Sequence, residues 1–126
     1  MKRLALLPPA ALAATLAVAQ PAPPPVRYAR QIQPLLADAC LTCHGPDGDA
    51  RRANLRLDTR EGLARAFVPG KPHTSPGLKR ILATDPALRM PPPTHPHRLK
   101  PADIALLRRW VAEGAARYFG SADEAA

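Results

Sequence analysis

Two cysteines, one tryptophan, two tyrosines and two phenylalanines are all that this 126-residue chain holds of the residues that usually staple or fill a small domain. Two cysteines are too few for a disulfide scaffold. An aromatic content of 4% leaves a core short of bulky apolar volume, so something other than side chains is expected to supply it. Acids are scarce too: 10 Asp and Glu stand against 18 Lys and Arg, a formal net charge of +8. No apolar run reaches the ~20 residues needed to span a bilayer. No stretch of alternating residues argues for a strand, and no internal repeat is visible. The length suits one domain. The 17 prolines and 7 glycines stay below the roughly 25–30% of low-complexity disorder, so the chain is expected to fold.

What is present begins with an address. Met1-Lys2-Arg3 is a positive start, Leu4 to Val18 is apolar, and Ala17-Val18-Ala19 is a small-x-small cleavage pattern. Residues 1–19 therefore read as a signal peptide, and the protein as periplasmic or otherwise exported, with no stable membrane span once the signal is removed. No cysteine follows the cleavage pattern, so a lipid anchor there is not indicated. Residues 20–27 read as a Pro-rich, solvated linker, 28–119 as the folded domain, and 120–126 as a frayed tail.

Both cysteines fall in Cys40-Leu41-Thr42-Cys43-His44. This is the pattern of c-type haem attachment. Each thiol adds to one vinyl group, two intervening residues let one turn of chain reach both, and the adjoining imidazole is delivered to the iron. A zinc site needs four placed ligands and finds no second cluster here. A thioredoxin-like pair wants a βαβ context. A structural disulfide leaves His44 unexplained.

With the signal removed, Met90 is the sole methionine, and the prolines of Met90-Pro91-Pro92-Pro93 fix the backbone beyond it. It is the leading candidate for the second axial ligand, held against the iron from the side opposite His44. A gap-filling core methionine is the ordinary alternative. His73, His95 and His97 are rival ligands, and a bis-His iron has the lower potential.

The rest reads as short helices. Tyr28, Ile32, Leu35, Leu36 and Ala39 follow helical spacing into the haem motif, with Pro34 demanding either a turn followed by a new helix or a kink. Asp58-Thr59-Arg60-Glu61 has capping-box spacing and predicts a helix over about 59–66. Ser75-Pro76 predicts a capped helix to about Ala83. Pro101 and Asp103 open a last helix, expected to run to about 117, whose stripe is Ile104, Leu107, Val111 and Tyr118, broadened by Leu106 and Trp110. It is expected to cross the first helix beside the haem. The aspartates of Gly45-Pro46-Asp47-Gly48-Asp49 read as turn residues, since the other ligands of a calcium loop are missing. Arg51, Arg52, Arg56, Arg60 and Arg65 cluster after the haem motif. Export argues against nucleic acid, leaving haem propionates and acidic redox partners as their counterparts.

Six segments together resemble the planctomycete-type cytochrome c domain: Ile32–Asp38, Cys40–Asp47, Leu55–Arg60, Val68–Pro72, Leu88–Pro92 and Ile104–Val111. The resemblance covers about 28–117. It implies an all-α, small cytochrome c-like fold around one covalently attached haem c, Cys40 and Cys43 as its thioether residues, His44 as proximal ligand and Met90 as sixth ligand. Two departures stand out: Lys100 where the family usually places a Ser or Thr cap, and the Thr94-His95-Pro96-His97 insertion. The expectation is an exported, monomeric single-electron carrier, not an enzyme. A gas-binding haem sensor and an electron-transfer subunit of a separate dehydrogenase are the alternatives.

Overall fold

The computed structural model describes residues 1–115, and among them every regular element is helical. The expected signal, residues 1–19, has no regular secondary structure and is exposed, and no helix among the described residues is long and apolar enough to cross a membrane. Residues 116–126, which include Tyr118, Phe119 and the expected tail, lie outside the described residues.

A π-helical turn at Tyr28–Ile32 runs directly into α1, Gln33–Ala39. Pro34 explains the junction, because it has no N–H for Arg30 and its ring crowds that carbonyl. The chain widens instead, and Gln33 N–H bonds Tyr28 O, five residues back. The result lies between the two forms expected around Pro34. Tyr28, Ile32, Leu36 and Ala39 form its buried face.

One turn, α2 (Leu41–His44), carries the haem motif. Next comes α3, Arg60–Ala66, whose start differs from the expected box: Thr59 Oγ1 accepts from Gly62 N–H, while Asp58 pairs with Arg56. Then α4, Pro76–Ile81, is shorter than expected. Ser75 holds its N-cap position without capping it. The hydroxyl, fully buried, accepts from Val68 N–H at 2.8 Å and donates to Lys71 O at 2.8 Å, closing the loop before the helix.

The last helix, α5, is Pro101–Ala112, not 101–117. Gly114 and Ala115 both have positive φ, and their amides bond Val111 O and Trp110 O in a Schellman stop. At the other end no Ser or Thr is needed: Asp103 Oδ2 takes the Lys100 N–H at 2.9 Å.

The core centres on Trp110, whose ring lies 5.7 Å from Tyr28 and 6.0 Å edge-on from Phe67. Thus α5 crosses the π-helical turn through the few aromatics available, with Leu107 and Val111 buried beside them. The linker also departs from expectation. Val26 is only 6% exposed, its N–H bonds Glu113 Oε2 at 2.8 Å, and Arg109 Nη2 donates to Pro24 O. Its last residues are thus docked on the end of α5.

Candidate haem site

A cavity of about 440 Å³ opens between α1–α2, α3, α4 and the loop after α4. Cys40, Cys43, His44 and Met90 all stand in its wall. So does His95, whereas His73 and His97 do not. The remaining lining is largely aliphatic and aromatic, including Ala39, Leu55, Leu57, Phe67 and Ile81. No residue of α5 borders it among the described residues, so the expected crossing beside the haem is replaced by packing behind the Trp110 cluster.

The motif is held by the loop that follows it. Gly45 leaves α2 where a Cβ would meet Leu41 O at 2.3 Å, so no larger residue fits this path. Arg52 N–H bonds Cys43 O, and Leu57 N–H bonds His44 O, each at 2.7 Å. Between them Ala53 and Asn54, with φ of 53° and 48°, make a left-handed turn closed by Leu55 N–H on Arg52 O. That same carbonyl lies 3.2 Å from His44 Nδ1. Protonated at Nδ1, His44 keeps a free lone pair at Nε2 and its ring is oriented by the backbone. This carbonyl is a functional group that sequence reasoning missed. Asn54 is the trace it leaves in the sequence, since Asn tolerates the left-handed region, but Ala53 conceals the turn.

Cys40 and Cys43 are free thiols, half-buried. Burial pushes the Cys40 thiol up to about 11, so at neutral pH it is the protonated thiol that faces the cavity. Met90 is also half-buried, following a loop braced from α4. Met90 N–H bonds Arg80 O at 3.0 Å, while Arg89 donates to Ala83 O and Thr84 O. Pro91 follows through a cis peptide bond.

The basic cluster divides by position. Arg56 is occupied by Asp58, and Arg51 by the carbonyls of Gly45 and Pro46. Arg52 and Arg65 reach the cavity wall, joined by Arg80 from α4, which the sequence reading did not single out. None of these three forms an ion pair among the described residues.

The donor set fits a haem. Two thiols separated by two intervening residues, an adjoining imidazole and a thioether share one apolar cavity with three guanidiniums, the complement of a porphyrin bearing two vinyl groups and two carboxylates. It does not fit zinc, since among the described residues no three His, Cys, Asp or Glu side chains converge. The arrangement is that of a candidate c-type haem centre. Residues 40–94 match the model of the family Planctomycete cytochrome C. The match falls within the stretch over which the motifs resemble that family, and the family suggests a c-type cytochrome, with haem binding and electron transfer. No curated protein and no solved structure gives a significant match.

Proposed function

We propose that the protein is an exported monohaem c-type cytochrome that passes single electrons between partner proteins, with His44 and Met90 as axial ligands and Cys40 and Cys43 as the covalent attachment points. One observation carries the reading: these four side chains, from α2, its N-cap and a distant proline-flanked loop, meet in the wall of one apolar cavity. When bound, the haem supplies a one-electron Fe(III)/Fe(II) couple. The chain does the rest. Arg52 O orients the His44 imidazole, and the bracing of the 82–90 loop from α4 holds the Met90 thioether at the wall. A thioether is a soft donor that favours ferrous iron, so this pair sets a comparatively high potential.

Arg52, Arg65 and Arg80 are the residues for the two propionates, since they border the cavity and carry no competing carboxylate. The exposed cations beside them, among them Arg60 and Lys79, favour encounter with an acidic redox partner. The leader is exposed and unpacked, as a segment removed on export would be. A monomer is the expected working form.

Expression with haem-maturation machinery tests the reading. The ferric protein is expected to show the weak long-wavelength band of sulfur-ligated haem, and Met90→Ala to abolish it. Cys40→Ala combined with Cys43→Ala is expected to leave no covalent haem. Covalent haem surviving that double substitution refutes the attachment assignment, and rapid carbon monoxide binding by the reduced wild-type protein favours a sensor instead.

A further inference from the structure

The cavity wall holds one metal donor that the proposed ligation leaves unused. His95 stands there with Met90, Pro91 and Pro92, half-buried, and its position is built rather than incidental. Its amide bonds Pro92 O at 2.8 Å, which turns the chain back toward the wall after the proline run. Its ring is anchored at one nitrogen only: Nδ1 accepts from the His97 N–H at 3.1 Å or, when protonated, donates to the His97 carbonyl at 3.0 Å. The His97 ring packs against it at 5.9 Å between centroids. Nε2 makes no hydrogen bond among the described residues.

His44 is held through the same ring nitrogen, there by a carbonyl alone. Its Nδ1 is set against the Arg52 carbonyl and its Nε2 is left for the metal. At His44 that carbonyl selects the tautomer whose Nε2 carries the lone pair; at His95 the His97 backbone accommodates either tautomer, and the Nδ1-protonated one, donating to the His97 carbonyl, leaves the Nε2 lone pair free to ligate. His73 and His97 share neither feature: they do not reach the cavity, and His97 serves as the anchor for His95.

We propose that His95 is a second distal donor, which takes the sixth position through Nε2 whenever the Met90 thioether leaves it. The proposal rests on the haem reading above. The exchange balances simply: the sulfur lone pair leaves the iron and the imidazole lone pair replaces it, with no electron transferred and no proton released from the Nδ1-protonated ring. His95 lies five positions after Met90, so the exchange needs the 90–95 segment to shift rather than the fold to open. Its consequence is a centre with two settings, a higher potential with sulfur bound and a lower one with two imidazoles, and without an open site for small ligands in either.

The test compares wild type, Met90→Ala, His95→Ala and the double variant, each first checked by the pyridine haemochrome spectrum for haem held through two thioethers. Met90→Ala is expected to lose the sulfur band yet remain low-spin and six-coordinate, with a lowered potential and slow carbon monoxide uptake. The double variant is expected to become high-spin and bind carbon monoxide rapidly. His95→Ala alone is expected to keep the sulfur band. Should Met90→Ala alone already be high-spin, or should the double variant stay low-spin through another ligand, His95 is not the donor. Peroxide oxidation of Met90 to the sulfoxide in the wild-type protein and in His95→Ala repeats the comparison without the methionine substitution, should that variant fail to fold. Absence of covalent haem in the wild type overturns the haem reading itself, an outcome distinct from any of these.

Discussion

Ser75→Ala removes a single oxygen, and the structure sets what that oxygen supports. Ser75 is 0% exposed, and its hydroxyl is the hydrogen-bond partner of Val68 N–H. Truncation orphans that amide in a half-buried loop, at a cost of ~1–3 kcal/mol. The second bond, to Lys71 O, costs less to lose because Ser75 N–H still donates to the same carbonyl at 3.1 Å. It adds ~0.5–1 kcal/mol. The expected total is therefore about 2 kcal/mol, roughly twice the value of an ordinary N-cap. For a domain of this size the fall in melting temperature is roughly 8–16 °C. Guanidinium denaturation of the haem-loaded protein reads the free energy, with an unchanged slope expected. Amide exchange supplies a local readout, since Val68 N–H should lose its protection while the Gly70 amide, bonded to Val111 O at 2.8 Å, keeps it. A loss of ~0.5 kcal/mol or less with Val68 still protected would refute the reasoning, because the hydroxyl would then be an ordinary cap or none.

Gly77→Ala would place a Cβ 2.8 Å from the Phe67 ring and 2.9 Å from Ala66 O, so ~1–3 kcal/mol of overpacking should outweigh any helix-propensity gain, measurable by the same denaturation. Ala53→Gly should do the opposite: relief of a left-handed alanine, ~1–2 kcal/mol, exceeds the added unfolded-state entropy, leaving a gain of roughly 0.5 kcal/mol. The Arg56 guanidinium, by its hydrogen bond, holds the Asp58 carboxyl below the usual carboxylate range. A depressed native value means that this stabilisation is complete above the unfolded value of about 3.9 and disappears as pH falls through the native one. Wild type should therefore lose stability with acid more steeply than Asp58→Asn, as melting temperatures between about pH 5 and pH 2 will show.

The site was more legible than its supports. Cys40, Cys43 and His44 were readable as candidates because a haem-attachment motif fixes three residue types at three offsets, and Met90 because it stands alone among prolines. Thr59 and Ser75 were both recognisable as polar residues at helix starts, yet only Thr59 caps. A hydroxyl bonds whichever backbone group is nearest, and for Ser75 that group lies seven residues back, beyond any local pattern. The end of α5 was misjudged for a physical reason: the apolar stripe seemed to continue to Tyr118, but Gly114 offers the left-handed conformation that stops a helix more cheaply than any other residue. Val26 looked like part of a solvated linker because nothing in a proline-rich segment announces a partner 87 residues away. The Arg52 carbonyl, belonging to the backbone, carried no side-chain signature at all.

The docking of the linker on α5 has a consequence for how the molecule is attached to anything else. Among the described residues, no part of the chain before Ala39 or after His95 borders the cavity. The leader departs from the domain at Pro23–Val26, where Arg109 and Glu113 grip it. A leash fastened at the amino terminus, whether an uncleaved leader or a purification tag, would thus pull on the back of the protein. The cavity wall, where the proposed haem would exchange electrons, would still turn freely toward whatever meets it.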